Sequence, residues 1–331
     1  MKAASMANPE HVQIVRNGVD AILSWQQENT YQSLDLSNAD LNGLCLKGAL
    51  LTGANLSHAI LDAADLQGCD LNDAILEFAS LNCANLEQAQ LKRANASHCR
   101  MVEAKLTDAS FEQSDLSWSS LIGVQAADAD FSRAEMINVD LTNAKLQRAS
   151  FVDAVLIKAN LTNVDATEAT FRGADLVDVV LREAILQECC FLNARLIHAD
   201  LFGADLRKAI LGDVEISDLR HTNLSNADLE ASRVVDSLFN DADMHEAKLA
   251  RADMRGADLR GADLTNADIR SANLSGANLA NAQVNTDKFW TQLAGDGKTP
   301  QDMEHLAEKW EVITNSNLYG HPCHVLRQRK G

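Results

Sequence analysis

The segment Ala252–Ala282 reads ADMRGADLRGADLTNADIRSANLSGANLANA and repeats one pattern every five residues. In each repeat, Ala is followed by Asp or Asn and then by a large apolar residue, which we call the centre. Upstream, the same step runs from Leu36 to Ile216, where 34 of the 37 centres are Leu, Phe, Met or Ile. A helix repeats every 3.6 residues and a flat strand every two, so neither keeps this phase. The chain is therefore predicted to turn a corner every five residues.

The residue two positions before each centre is small, and it is predicted to point inward beside the centre. Between Leu36 and Ile216 this residue is Ala for 25 of the 37 centres. Cys69, Cys99 and Cys189 occupy the same position, where a thiol serves as a small buried side chain. The seven cysteines are odd in number and irregularly spaced, so they do not indicate a disulfide framework.

Two further regularities predict the size of one coil and the position of its corners. Five phenylalanine centres recur at every fourth repeat, so four repeats per coil would stack their rings into one interior column. They are Phe111, Phe131, Phe151, Phe171 and Phe191. Ten of the 11 glycines between Leu36 and Val284 lie two positions after a centre. Because glycine adopts a positive φ freely, that position is predicted to be the corner.

The repeat in Ala252–Ala282 closely resembles the A(D/N)LXX motif of pentapeptide-repeat proteins. The resemblance implies an all-β solenoid, a right-handed four-sided (quadrilateral) parallel β-helix in which four pentapeptides form each coil. We predict this solenoid over residues 34–286. Open ends of a parallel stack need caps, so we predict an N-terminal helical cap over residues 1–33 and a C-terminal helical cap or tail over residues 287–331.

The phase of the repeat slips once, after Ile216, and the centres from Leu224 to Val284 are offset by three residues. Two explanations are open: residues 217–223 contain a three-residue insertion, or Leu219 is a centre and two residues are deleted. The spacing favours a small bulge or loop at one edge of the solenoid, because loops tolerate insertions at low cost.

The predicted N-terminal cap begins at Asn8 and Pro9, which are typical N-cap and first-turn residues. One apolar stripe follows, formed by Val12, Val15, Val19 and Ile22. At the other end, Thr299 and Pro300 predict the start of a second helix. Its apolar face would contain Met303, Leu306, Trp310 and Ile313. The aromatic residues Trp290, Trp310 and Tyr319 would either cover the last coil or form a homodimer contact.

The repeat disperses polar residues instead of gathering them, and we find no clustered nucleophile, base or metal set. We therefore predict that the protein is not an enzyme and has no cofactor. His321, Cys323 and His324 are the tightest group of metal-capable residues, but their spacing matches no zinc knuckle, and we predict no metal there. The Asp and Asn residues before the centres are predicted to form solvated ladders.

An outward apolar stripe is the candidate interface. Four residues that each follow a centre by one recur at every fourth repeat and are predicted to stack: Ile137, Ile157, Val177 and Ile197. Ile122 and Phe202 have the same offset on the adjoining side. Such a stripe indicates a binding surface. The alternative is that β-branched ladders stabilise a parallel sheet without any partner.

The formal net charge of −18 argues against a direct nucleic-acid partner and against an anionic membrane surface. No apolar run has the length of a signal peptide core or a membrane span, so we expect a cytoplasmic protein. The first functional prediction is a protein-binding scaffold with an unidentified protein partner. The alternative implied by the resemblance is a DNA-mimicking regulator of DNA gyrase, although Arg251, Arg255, Arg260 and Arg270 interrupt the negative surface. An enzyme is the third hypothesis, and it would require a pocket that a filled solenoid does not offer.

Overall fold

The computed structural model describes residues 7–212, 217–285, 289, 293, 308–316 and 322–329. The chain divides into two compact units, Met1–Asp165 and Ala166–Gly331.

The first unit begins with two short helices, α1 (Pro9–Arg16) and α2 (Val19–Glu28). The Asn8 side chain accepts a hydrogen bond from the Glu10 backbone N–H, so Asn8 is the N-cap of α1. The apolar stripe predicts one helix, but Gly18 has a φ of 94° and separates two. Each helix buries one apolar residue of the stripe, which anchors it to the solenoid.

Side chains of the helix pair satisfy backbone groups of the first coil that have no preceding coil to bind. The backbone N–H of Asp35 donates to His11 Nδ1 at 2.9 Å. The Arg16 guanidinium donates to the Asp40 carbonyl oxygen at 3.1 Å. The Gln26 amide donates to the Leu50 carbonyl oxygen at 2.7 Å. The helices therefore cap the open end of the solenoid through specific hydrogen bonds as well as apolar contact.

Within each unit, stacked coils are joined by parallel β-bridges between residues four repeats apart. In the first unit these bridges run from the pair Asp35 and Asn55 to the pair Lys145 and Asp165, with one bridge in every repeat. The backbone N–H of Leu56, for example, donates to the Ile75 carbonyl oxygen of the next coil at 2.7 Å. Each coil therefore consists of four repeats and has four bridged positions. Because a side contributes a single bridged residue before the chain turns, long regular strands do not form.

The corner lies two residues after each centre, as the glycine positions predict. Gly43 and Gly68 have φ values of 65° and 64° there, and residues other than glycine adopt the same conformation, for example Asn38 with 60° and Ala63 with 54°. The backbone geometry of the corner therefore comes from the stacked coils and does not depend on glycine alone.

The recurrent Asp or Asn before each centre has a structural role that goes beyond a solvated ladder. The Asn55 side chain accepts a hydrogen bond from the backbone N–H of Ser57 at 3.2 Å. The Asp130 carboxylate accepts one from the N–H of Ser132 at 2.9 Å. In these repeats the N–H after the centre is bound by this side chain, two residues upstream in the same coil. The residue preference of the repeat therefore follows from the need to satisfy every buried or half-buried N–H.

The interior is filled by the large centres and their small neighbours. In the first unit, the rings of Phe111 and Phe131 stack with a centroid distance of 5.1 Å, and those of Phe131 and Phe151 do the same. In the second unit, Phe171 and Phe191 stack at 5.0 Å. All five rings are fully buried. Face-to-face stacking follows directly from a coil of four repeats.

The phase slip lies in the second unit, where β1 (Ile210–Gly212) pairs in parallel with β2 (Arg233–Val234). The bridge between Asp218 and Leu238 joins residues four repeats apart in sequence. The bridge between Arg195 and Asp218 joins residues whose separation in sequence is three residues greater. Three extra residues therefore lie between Gly212 and Asp218, and Leu219 is a fully buried centre. This placement confirms that Leu219 is a centre, and it corrects the prediction of an insertion within residues 217–223 and the prediction of a two-residue deletion.

The second unit ends in a three-stranded antiparallel sheet made of β3 (Gln283–Val284), β4 (Trp310–Ser316) and β5 (Pro322–Gln328), in the order β3-β5-β4. The prediction of a helix through Trp310 and Ile313 is wrong, because both lie in β4 and pair with β5. The backbone N–H of Asn281 donates to the Leu326 carbonyl oxygen at 2.8 Å, so β5 covers the final coil on this side. The other residues of the predicted helix face and aromatic cap lie outside the described residues: Trp290, Thr299, Pro300, Met303, Leu306 and Tyr319.

Candidate interaction surfaces

The six apolar residues predicted to form an interface are half-buried in the structure. Three lie in the first unit and three in the second: Ile122, Ile137 and Ile157, and Val177, Ile197 and Phe202. The Arg182 guanidinium lies 4.7 Å from the centroid of the Phe202 ring, so a cation already covers one face of that ring. These side chains present less apolar surface to solvent than a fully exposed stripe would.

A more exposed surface lies on the same side of the first unit, closer to the N-terminus. His58, Phe78, His98 and Trp118 occupy the same corner of four successive coils, and their rings stack above one another; we call this set the aromatic ladder. The ring centroids of His58 and Phe78 are 5.0 Å apart, those of Phe78 and His98 are 4.8 Å apart, and those of His98 and Trp118 are 6.3 Å apart. The interplanar angles are between 6° and 12°.

Large apolar parts of the ladder and its margins face solvent. Trp118 is 59% exposed and Phe78 is 47% exposed. Ile60, on the side that follows the corner, is 43% exposed, and Ile75, on the side that precedes it, is 42% exposed. Most large apolar side chains of a repeat protein are buried, so four such exposed residues on one corner mark a candidate interaction surface.

The predicted stripe continues from the C-terminal end of the ladder. The backbone N–H of Trp118 donates to the Ile137 carbonyl oxygen at 2.9 Å, which places Ile137 in the next coil of the same side. Ile157 follows one coil later. In the first unit, Ile137 and Ile157 therefore lie beside the ladder and are less exposed than its aromatic rings.

The aromatic ladder occupies strained backbone. The φ values of His58, Phe78, His98 and Trp118 lie between 57° and 62°, the left-handed region that bulky side chains rarely adopt. Glycine occupies other corners of the coils, for example Gly68 and Gly123, without this cost. Other non-glycine corners share this conformation, so the ladder differs from them by its exposed rings and not by its backbone.

Acidic residues predominate around the ladder. Residues 1–165 contain 11 Lys or Arg and 21 Asp or Glu, a formal charge of −10. The segments on either side of the ladder corner, residues 54–62, 74–82, 94–102 and 114–122, contain three acidic residues and one basic residue: Asp62, Glu77, Asp115 and Arg100. On the adjoining side, the Arg93 guanidinium binds both oxygens of Asp73 and holds the pKa of that carboxyl below its ordinary value. The positive charge of Arg93 is therefore already matched within the chain.

The second unit presents charged pairs on its outer surface. Arg270 donates to both carboxylate oxygens of Asp268, at 2.8 and 2.6 Å, and these bonds hold the pKa of Asp268 below its ordinary value. Burial alone would raise the pKa of Asp258, but hydrogen bonds, chiefly from Arg260, outweigh it and lower that pKa. An Arg two residues after an Asp thus neutralises it within the same repeat.

Two shallow polar depressions lie among these pairs in the second unit. One, of about 410 Å³, is lined by Arg220, His221, Asn240, Asp241 and Arg260. There His221 Nδ1 is 3.9 Å from Asp241, and its ring stacks on His198 at 5.3 Å. The other, of about 240 Å³, includes Lys248, Arg251 and Arg270. Their lining cations pair with nearby carboxylates, which favours a structural role for these charges.

In the described part of the chain, no group of three or more His, Cys, Asp or Glu residues is arranged to hold a metal ion. His321, from the tail cluster of the sequence, lies outside the described residues, and the side chain of Cys323 does too. None of the described helices has the length and apolar character needed to cross a membrane.

The sequence itself decides the family. The profile described as pentapeptide repeats matches in eight copies, which include residues 35–73, 69–108, 99–136, 134–173, 174–213, 217–256 and 242–281. The chain belongs to the pentapeptide-repeat family. No curated protein matches this pentapeptide-repeat protein significantly.

Solved structures similar to this pentapeptide-repeat protein come from the same family. HetL, involved in heterocyst differentiation regulation in the cyanobacterium Nostoc sp. strain PCC 7120, is 27% identical, with 80% of this chain and 96% of HetL covered and a TM-score of 0.36. QnrB1, a plasmid-mediated fluoroquinolone resistance protein, is 19% identical, with 58% and 89% covered and a TM-score of 0.35. Rfr23 from the cyanobacterium Cyanothece 51142 is 31% identical, with 28% and 58% covered and a TM-score of 0.19. With TM-scores this low, none of these structures bears on the role of the chain.

Sequence inspection missed the aromatic ladder although its signal is present. His58, Phe78, His98 and Trp118 recur at every fourth repeat, like the phenylalanines of the interior column. The residues predicted as an interface each follow a centre by one position, whereas these four residues follow a centre by two. Comparing every position of the repeat with its equivalent four repeats later finds the ladder without a structure.

Proposed function

We propose that this protein is a non-catalytic binding protein that recognises another protein through the outer surface of its coils. The observation that carries the proposal is the aromatic ladder of the first unit, where Phe78 and Trp118 are about half exposed at strained corners. Exposed aromatic side chains are typical anchors of protein interfaces. A scaffold held by stacked coils loses little conformational entropy when it binds.

The packing of the interior supports a binding role over a catalytic one. The centres and their small neighbours are almost all less than 2% exposed in the described coils, so side chains fill the space that a substrate would need. The polar depressions of the second unit are lined by charges that pair with one another. We therefore propose no catalytic residue.

We also propose that the coils have the right-handed, four-sided form that the family resemblance implies. The coil of four repeats and the bridge in every repeat support it. An experimental structure of the full chain checks the handedness, and a left-handed coil would contradict it.

A second candidate is the regulation of DNA gyrase by mimicry of DNA, favoured by the formal charge of −18. The Asp and Arg pairs of the second unit weaken this candidate, because Arg255 and Arg260 neutralise carboxylates that a DNA mimic would expose. Supercoiling by the purified host enzyme, assayed at saturating protein, tests it. Unchanged supercoiling would remove gyrase as the target.

Cytoplasmic location and a homodimer through the C-terminal region remain proposals. The charge balance and apolar content support the first, and β4, as the outer strand of the C-terminal sheet, supports the second. Fractionation of host cells tests the location. Light scattering of the purified chain tests the dimer, and a monomeric mass would contradict it.

Site-specific photo-cross-linking in the host tests the protein-binding proposal. Benzoylphenylalanine replaces Trp118 in one variant and Ile185 in the matched control, because Ile185 is 39% exposed but lies in the second unit. We expect one discrete cross-linked partner for the variant at position 118 and none for the control. Equal patterns from both positions, or no product from either, would contradict a protein-binding role for the ladder.

A further inference from the structure

We propose that the aromatic ladder binds a cationic amphipathic α-helix of the partner protein, laid along the ladder axis. This inference rests on the proposed protein-binding function and specifies the chemistry of the partner. Three independent features carry it: the spacing of the rings, the apolar band they form with two isoleucines, and the surrounding negative charge.

The spacing of the rings matches the axial repeat of a helix better than that of a strand. Neighbouring rings are 5.0, 4.8 and 6.3 Å apart, so the three steps together span about 16 Å. Side chains on one face of a helix recur every three or four residues, about 5.3 Å at a rise of about 1.5 Å per residue. Side chains on one face of an extended strand recur every ~6.6 Å, so a strand loses register by about 3.5 Å over the first two steps of the ladder. A helix of about three turns keeps register over the ladder.

The orientation of the rings favours aliphatic side chains as direct contacts. The rings stack nearly parallel, so neighbours cover the faces inside the ladder and ring edges are left for solvent. Ile60 and Ile75 lie on either side of the ladder, and both are exposed. Ring edges and isoleucine methyl groups together form an apolar band. The stripe of Leu, Ile or Met on an amphipathic helix is complementary to such a band.

The charge around the ladder favours basic residues beside that stripe. Asp62, Glu77 and Asp115 outnumber Arg100 in the coil segments of the ladder, and the first unit has a formal charge of −10. On the adjoining side, Lys92 pairs with Glu112 at 3.1 Å, and Arg93 binds Asp73. Basic residues that flank the stripe of the helix would thus meet net negative charge, whereas acidic residues would be repelled.

The strain at the corner provides a variant that separates binding from folding. Phe78 and Trp118 have φ values of 59° and 62°, and glycine is the residue that this conformation favours. Replacing both by glycine removes the exposed rings and relieves backbone strain. We therefore expect the double variant Phe78→Gly/Trp118→Gly to fold at least as stably as the wild type.

Binding of three synthetic 18-residue peptides to the full chain tests the proposal by fluorescence anisotropy. The first has Leu at i, i+4, i+7 and i+11 with Lys on its polar face, the second replaces every Lys by Glu, and the third scatters the Leu residues. We expect the first to bind at least tenfold more tightly than the other two. The double variant should lose at least tenfold in affinity for it, and Ile185→Thr should retain the affinity.

Each other outcome overturns the inference. If the peptide with scattered Leu residues binds as tightly as the first peptide, the interaction is non-specific charge attraction. Preference for the acidic peptide would reverse the charge assignment. No binding of the first peptide at about 1 mM, or full binding by the double variant, would exclude a helix on the ladder. The cross-linking result at position 118 decides the protein-binding function separately, so the two failures are distinguishable.

Discussion

The same corner position of the repeat carries two different surfaces in the two units. In the first unit it holds aromatic residues such as Phe78 and Trp118, which stack and face solvent. In the second unit it holds His221, Asp241 and Gly261, beside arginines that pair with carboxylates. The backbone is the same, with φ between 56° and 71° at all of these corners. The repeat therefore constrains the inward residues and the backbone, and it leaves the outer surface open to specialisation.

The largest expected effect is the difference in stability between a substitution in the interior and a substitution at an exposed corner. Phe131→Asp places an unpaired charge in a ring column that is fully buried, between Phe111 and Phe151, and should cost more than about 5 kcal/mol. Phe78→Gly, at an exposed corner, should leave the free energy of unfolding unchanged or raise it. Thermal melts followed by circular dichroism measure both. Comparable losses in the two variants would show that the inward and outward positions are wrongly assigned.

The next largest effect is the stability cost of adding a methyl group at the phase slip of the second unit, compared with an ordinary corner. A Cβ atom at Gly212 would collide with the Val235 carbonyl oxygen and the Ser237 hydroxyl. Gly212→Ala should therefore destabilise the protein by about 3 kcal/mol. At Gly68 no atom lies within 4 Å of the new methyl group, so Gly68→Ala should cost only about 1 kcal/mol, from its positive φ. Urea unfolding compares them, and an equal cost would mean that the slip is not tightly packed.

A smaller effect tests the role of the Asp or Asn before each centre. Asp130→Ala removes the acceptor of the Ser132 backbone N–H, and it should cost about 1 kcal/mol. Asp130→Asn keeps an acceptor oxygen and should be close to the wild type. Urea unfolding measures the difference. If the Asn variant loses as much as the Ala variant, charge and not the hydrogen bond explains the residue preference.

The smallest effect concerns the paired surface of the second unit. Hydrogen bonds from Arg270 lower the pKa of Asp268, so this pair stabilises the fold above the unfolded pKa of about 3.9. The contribution is lost as the pH falls through the lower, folded value. Arg270→Gln should raise the pKa of Asp268 toward its ordinary value, with little change in stability at neutral pH because the Arg270 side chain is exposed to solvent. A carboxyl NMR titration measures the shift, and an unchanged pKa would contradict the assignment.

The sequence predicted the parts of the fold that the repeat controls. The alternation of Leu36-type centres with small residues, and the return of phenylalanine after four repeats at Phe111 and Phe131, follow from stacking and are visible as spacing. The corner conformation was predictable from the glycine positions, because glycine favours the positive φ that other corner residues adopt at a cost. These features depend on position within the repeat and hardly on context.

The predictions that failed concern segments where a local hydrogen-bonding pattern competes with the one that the residue spacing indicates. Gly18 interrupts the N-terminal stripe, because a φ of 94° cannot belong to a helix. Trp310 and Ile313 fit a helical spacing, but pairing with β5 places them in a strand. The slip was misplaced because Ile216 keeps the old phase in sequence while the bridge from Arg195 reaches Asp218. Periodicity alone does not include the hydrogen bonds that decide these cases.

The central claim is that exposed rings at strained corners serve binding and not stability. Its most direct test measures melting temperature and affinity capture of the partner that the cross-link at position 118 identifies, on the same preparations of wild type and Phe78→Gly/Trp118→Gly. We predict an equal or higher melting temperature for the variant together with loss of the partner. A lower melting temperature in the double variant, or undiminished recovery of the partner, would contradict the claim.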